Sequence, residues 1–161
     1  MSRLIGNELP DDLYRRLGGH DLESCAEKAI LICTVDANGW AHPAMLSYLE
    51  VIARDRRNIR LATYKHSTTT NNMRRNGKLT ILIIDERVAY YIKGHVKELR
   101  DAMDCSPQNS KLNLQVEQVL ADEADPHLEA GAYVASGVTY KNPNLAAEQL
   151  RAREVLRELL E

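Results

Sequence analysis

The densest gathering of chemistry-bearing side chains lies in LATYKHSTTTNNMRRNGK, residues 61–78. Four hydroxyls in succession, Ser67, Thr68, Thr69 and Thr70, fall between the end of an apolar run and the start of a polar helical stretch. Hydroxyls at such a position cap a helix, and with the unpaired N–H groups of its first turn they form an anion site. Lys65 and His66 come just before, and Arg74 and Arg75 follow one to two turns later. From Arg56 to Ile84 there is no Asp or Glu, yet seven Lys and Arg residues lie there in a chain of net charge −2. A basic island in an otherwise acidic chain suits one local anion, a phosphate group, better than a polyanion spread over the surface. The bland alternative is one ordinary N-cap among solvated hydroxyls. No glycine-rich phosphate pattern accompanies the turn, so a nucleoside triphosphate or dinucleotide is not indicated.

Other chemistries are poorly supplied. His20, His42, His66, His95 and His127 show neither i, i+4 pairing nor a cysteine at ligand spacing, so no metal is expected. Cys25, Cys33 and Cys105 form neither a disulfide framework nor a zinc pattern, and reduced thiols are expected. No nucleophile elbow, Cys-His couple or paired carboxylates are legible, so no essential acid, base or nucleophile is expected.

The elements that must position the hydroxyl turn can be read from periodicity. Pro10-Asp11-Asp12 starts a short helix that Gly18-Gly19 ends, and Asp21 caps a second. ILICTVDA from Ile30 is a strand, and Asn38-Gly39 turns it back into a long second strand from Trp40 to Ala53. Pro43 suits an edge or a bulge in that strand. IRLATY is a third strand, residues 67–76 are a helix closed by Gly77, and LTILIID is a fourth, deeply buried strand. VAYYIKGHVKEL is a fifth, with Gly94 as a bulge. From Ser106-Pro107 to about Glu123 a helix is expected, with Leu112, Val116, Val119 and Leu120 on one face. AYVASGVTY then reads as a sixth strand, and Asn144 caps a final helix with a leucine-rich stripe. Short connections disfavour parallel crossovers, which leaves a small antiparallel barrel with helices outside it.

The chain has 161 residues, 44% hydrophobic and 27% charged, enough for one domain over 1–161 with its core at about 30–140. No apolar run approaches the roughly 20 residues of a membrane span, and the N-terminus has no leader-like segment, so a cytoplasmic protein is expected. A pI near 6.2 argues against nucleic acid as a partner.

The stretch from about Ile30 to Leu99 resembles the FMN-binding split-barrel family of pyridoxamine-phosphate-oxidase-like flavoproteins. The likeness rests on a D-x-x-G hairpin turn (Asp36 to Gly39), a strand running into SYLEV, and the Ser/Thr-rich turn after the third strand. Asn72, Asn76 and Leu79 at the helix exit and Tyr90 and Gly94 in the fifth strand continue it. The resemblance implies a mainly β, six-stranded, mostly antiparallel, Greek-key-like split barrel with peripheral helices. It also implies that Ala44, Met45, Leu46 and Ser47 meet the flavin ring, and that Thr63, Tyr64 and the turn through Thr69 hold the FMN phosphate. Many members carry Lys or Arg inside that turn where this chain has Thr68 and Thr69, so the positive charge must come from Lys65, Arg74 or Arg75. The chain lacks the arginine- and tryptophan-rich C-terminal segment of true pyridoxine-phosphate oxidases, its only tryptophan being Trp40, so vitamin B6 synthesis is not expected.

Three functions follow from this reading. The first is an FMN-dependent oxidoreductase, a homodimer passing electrons from a reduced nicotinamide to a small organic acceptor. The second is a non-catalytic FMN carrier or electron-transfer protein with the same site, and haem or a deazaflavin is an alternative occupant of the scaffold. The third is an oligonucleotide-binding small barrel, which needs exposed aromatics that a 5% aromatic content hardly supplies.

Overall fold

A computed structural model describes all of residues 1–161. Eight strands, β1 (Ser2–Gly6), β2 (Ala29–Val35), β3 (Ala41–Ser47), β4 (Val51–Asp55), β5 (Asn58–Tyr64), β6 (Lys78–Asp85), β7 (Val88–Arg100) and β8 (Asn109–Asp122), form one antiparallel sheet. Four helices accompany them: α1 (Asp11–Arg16), α2 (Leu22–Cys25), α3 (Thr68–Asn76) and α4 (Leu145–Leu160). The strand order is β3-β2-β6-β7-β8-β5-β4, with β1 on the far part of β8. The sheet curls around a core of 20 buried residues, into which Leu9, Leu13 and Leu17 insert from the N-terminal segment and α1. This is a split barrel.

Two devices join the ends of the curled sheet. The Tyr48–Glu50 turn carries the chain from β3 into β4, so the long second strand expected at 40–53 is broken into two. Its turn is fixed by Glu50, whose Oε2 accepts from Ser47 N and Oγ at 2.8 and 2.9 Å. The second device is α3, which bonds β5 through Thr70 and β2 through Asn72, Arg75 and Asn76.

Two expectations are corrected. Residues 109–122 are the longest strand and not a helix. Their buried positions run Leu112, Leu114, Val116 and then Val119, Ala121, so the inward parity changes across exposed Glu117 and Gln118. The pairing shows why: Lys93 faces Gln118 while Gly94 faces Val116, which leaves Glu117 as an extra residue in a bulge. Residues 132–140 are the second correction, because they add no strand. They meet the start of β2 and the β6–β7 turn through a single bridge, Lys28 to Thr139, and isolated backbone bonds to Arg87, Ala29 and Glu27. Conversely, β1 gives no periodic signal because its residues are exposed almost throughout.

Gly94 makes the bulge workable. A Cβ there would sit 1.9 Å from the Gln115 carbonyl oxygen on the neighbouring strand, and backbone cannot yield as a side chain tip can. Gly94→Ala should therefore cost about 3 kcal/mol or more, the upper end for overpacking, measured by urea unfolding. A variant within about 0.5 kcal/mol of the wild type would show that the two strands separate freely at this point.

Candidate functional site

The Ser/Thr turn divides its four hydroxyls between two tasks. Ser67 is the N-cap of α3, and its Oγ accepts from Thr70 N at 3.1 Å. Thr70 is fully buried, and its hydroxyl donates its one proton to the Tyr64 carbonyl at 2.8 Å. It must then accept from Ser67 Oγ at 3.1 Å and from Thr63 Oγ1 at 2.6 Å. Ser67, Thr70 and Thr63 thus fasten the helix start to β5 and hold the turn's shape. Thr68 and Thr69 are left: neither hydroxyl makes a hydrogen bond within the chain, although Thr69 is only 8% exposed. The N–H groups of the first turn add to them at the positive end of the helix.

The basic residues divide in the same way. Arg74 lies beside the turn, since its Nη1 donates to the Lys65 carbonyl at 2.6 Å. Its guanidinium is committed to Glu98 on β7, through Nε at 3.0 and 3.1 Å, and to Ser110 on β8 at 3.1 Å. Arg75 reaches the Val35 carbonyl at 2.6 Å. Both arginines therefore seat α3 on the barrel. Lys65, partly buried, is the cation of the turn whose side chain forms no ion pair or hydrogen bond. Two free hydroxyls and free N–H groups at a helix start, with an uncommitted lysine two residues before its N-cap, have the chemistry of an anion site.

The strand expected to meet the ring is the free edge of the sheet. Ala44 and Leu46 turn inward onto the core, whereas Met45 points out and is 63% exposed. Ser47 N bonds outside the sheet, to Glu50, and Pro43 has no N–H to offer. By the two-residue period Met45 shares their parity, so its backbone N–H and C=O face the open edge. An apolar surface with an unpaired amide and carbonyl suits a flat heterocycle that carries both donors and acceptors. Exposed Tyr64 ends β5, and it shares a cleft with Ser47, which brings the ends of β3 and β5 together.

Sequence reasoning passed over Glu50, Asn109, Tyr140 and Arg151, which line that same cleft. Glu50 left one signal, a lone acid inside the apolar SYLEV run. The others come from segments whose structure was misread or had no motif.

Comparison with known proteins fits this geometry. The family model described as pyridoxamine 5'-phosphate oxidase matches residues 23–129, and the chain belongs to that family. A Bacillus subtilis (strain 168) protein, the uncharacterized YclD, is 31% identical over 118 residues, 73% of this chain and 77% of that one. Among solved structures, a Lactobacillus delbrueckii protein described as a candidate pyridoxamine 5'-phosphate oxidase superposes with a TM-score of 0.57 at 16% identity, over 74% of this chain and 98% of that one. HupZ of Group A Streptococcus gives 0.56 at 15% identity, over 78% and 98%. At those identities the structures establish the split-barrel fold alone. No helix is long and apolar enough to cross a membrane.

The Arg74–Glu98 pair yields a pH dependence. The guanidinium hydrogen bonds hold the Glu98 carboxyl below its ordinary value of 4.5. A depressed carboxylate adds stability that is present above the ordinary value and is lost as pH falls through the folded one. Glu98→Gln should lose about 1 kcal/mol at pH 7 and should unfold less steeply than the wild type on acidification below about pH 5. Parallel acid limbs in a thermal-melt series would remove Glu98 as a contributor.

Proposed function

We propose that the protein is an FMN-binding flavoprotein of the pyridoxamine 5'-phosphate oxidase-like family, working as an oxidoreductase. The observation that carries this reading is the pair of uncommitted hydroxyls, Thr68 and Thr69, at a helix start beside unpaired Lys65. Ser67, Thr70 and Thr63 keep the turn in shape, and Thr68, Thr69 and Lys65 hold the phosphate. Ala44, Met45, Leu46 and Ser47 give the ring an apolar strand edge, with Tyr64 at its side.

When bound, FMN supplies hydride acceptance from a reduced nicotinamide and delivery to a small organic acceptor. The chain's own residues bind and orient: β3 fixes the ring plane, the turn fixes the phosphate, and the apolar edge keeps water off one face. No protein group need move a proton in the hydride step. The carrier reading uses the same residues and differs only in lacking an acceptor site.

The first test is the visible spectrum of the purified protein, with mass analysis of whatever denaturation releases. Flavin absorbance with FMN in the supernatant is the expected result, and a protein that stays colourless after FMN addition would end the proposal. Thr68→Ala with Thr69→Ala should weaken FMN at least ten-fold while leaving the melting temperature nearly unchanged, because neither hydroxyl bonds within the fold. Riboflavin should bind the wild type weakly and the double variant no worse. Equal affinity of the wild type for the two flavins would move the phosphate site elsewhere.

The homodimer belongs to the same proposal. Met45 on the β3 edge and Tyr64 beside the end of β3 are 63% and 66% exposed, apolar surface that a second copy of the chain would cover together with the flavin. Light scattering should give twice the 18.2 kDa chain mass at micromolar concentration with flavin bound. The mass of one chain would reject this part.

A further inference from the structure

α4 covers more than apolar surface on the outside of the sheet. Beneath its last turn stand Arg60 on β5, Lys111 on β8 and Arg100 on β7, three neighbouring strands, with Lys111 paired to Ala62 on one side and Arg100 on the other. The three cations line a cleft of about 330 Å³ that Asp104, Glu158 and Glu161 complete. Leu99 is its one apolar lining residue. Such walls suit a small, strongly polar ligand and offer nothing to an extended apolar one.

The cations are unequally provided for. Arg100 has two carboxylates, Asp104 at 2.5 Å and Glu158 at 3.4 Å. The Glu158 carboxylate is further occupied by the Asp104 and Cys105 amides. Arg60 is only 7% exposed and has neither an ion pair nor a hydrogen bond. Its Nε is sealed from solvent, whereas its two terminal nitrogens, equally unpartnered, are not sealed, and the residue lines the cleft. Lys111, 8% exposed, gives one proton to the Glu158 main-chain carbonyl at 2.5 Å and meets no carboxylate. Burial pushes both groups below their ordinary pKa, and Arg54 acting on Arg60 and Arg60 acting on Lys111 push the same way. Two like charges, each nine-tenths buried and without a counter-ion, cost the free fold stability that an apolar pair of the same volume would not. What they offer in return is a guanidinium fork and an ammonium aimed at the same oxyanion-sized space.

We propose that this cleft binds a small doubly charged oxyanion of the size of inorganic phosphate or sulfate, held by the Arg60 terminal nitrogens and the Lys111 ammonium. Two uncompensated positive charges match a dianion, and the nearly all-polar walls match its lack of an apolar body. Lys111 already ties the end of α4 to β8, so an anion shared with Arg60 extends that tie to β5. The site has no residue in common with the Ser67–Thr70 turn and does not depend on the flavin reading.

The test is titration of the full chain with inorganic phosphate at an ionic strength held constant with chloride. It is read from the Arg60 Nε–H and the Leu159 to Glu161 amides in nitrogen–proton NMR spectra. Those signals should shift in a saturable way with phosphate and with sulfate, and acetate, which carries one charge, should bind at least ten-fold more weakly. Arg60→Met should weaken phosphate ten-fold or more, read from the α4 amides, and the phosphate-free variant should melt no lower than the wild type, because an uncompensated buried charge has been removed. Lys111→Met should weaken phosphate several-fold or more. Thr68→Ala with Thr69→Ala should leave the affinity at these signals unchanged, which separates this cleft from an anion held at the start of α3. In that threonine background phosphate should still raise the melting temperature, as mass action requires of a ligand bound by the folded chain alone. Wild-type signals that ignore phosphate, a response that survives intact in both Arg60→Met and Lys111→Met, or one that vanishes with the two threonine hydroxyls, would overturn the proposal. So would an Arg60→Met protein that melts well below the wild type without phosphate, since the guanidinium would then serve the fold itself.

Discussion

A curled sheet that does not close on itself must have its two ends held at a fixed distance, and here α3 does most of that holding. It is bonded to β5 at one end and to β2 at the other, and Arg74 ties its middle to β7 and β8. The core inside the barrel depends on this closure, since β3 and β4 would otherwise splay and expose Ile30, Ile32 and Val51. The candidate phosphate turn is the first turn of the same helix. The residues that keep the barrel shut therefore also fix the donors in space, and the site inherits the rigidity of the fold.

That double duty explains how the hydroxyls are divided. A ligand site needs groups with spare bonding capacity, and a buried helix start needs groups with none. Thr70 and Ser67 meet the second need and Thr68 and Thr69 the first, within four consecutive residues. The same separation holds for charge, where Arg74 and Arg75 are structural and Lys65 remains uncommitted.

Much of this was legible in the sequence. The hairpin at Asn38-Gly39, the α3 caps at Ser67 and Gly77 and the strands around them come from local chemistry that acts within a few residues, whereas the bulge expected at Gly94 has its extra residue, Glu117, on the facing strand β8. Residues 109–122 were misread because a bulge shifts the inward parity by one, so an alternating strand imitates a helical spacing of Leu112, Val116, Val119 and Leu120. Only the partner strand reveals the extra residue. Residues 132–140 failed for the opposite reason: the alternation is present, but the segment meets the sheet only through one bridge to Lys28 and isolated backbone bonds to Glu27, Ala29 and Arg87, too few to make a ladder. The cleft residues Glu50, Asn109, Tyr140 and Arg151 converge from four separate segments, a proximity that no local pattern encodes. On β3, by contrast, Ala44 to Ser47 are consecutive, and their neighbourhood could be inferred by resemblance.

The seat of α4 carries a consequence of its own. Its apolar residues pack in a small cluster separate from the barrel interior, and Glu158 accepts from the Asp104 and Cys105 amides at 2.8 and 2.9 Å. The molecule thus has two separate cores, one inside the barrel and one that holds the cover on. Such an architecture is modular: lifting α4 exposes its own small cluster and leaves the barrel core on the other side of the strands covered. Loss of the cover and loss of the barrel are therefore separable events, one local and one global.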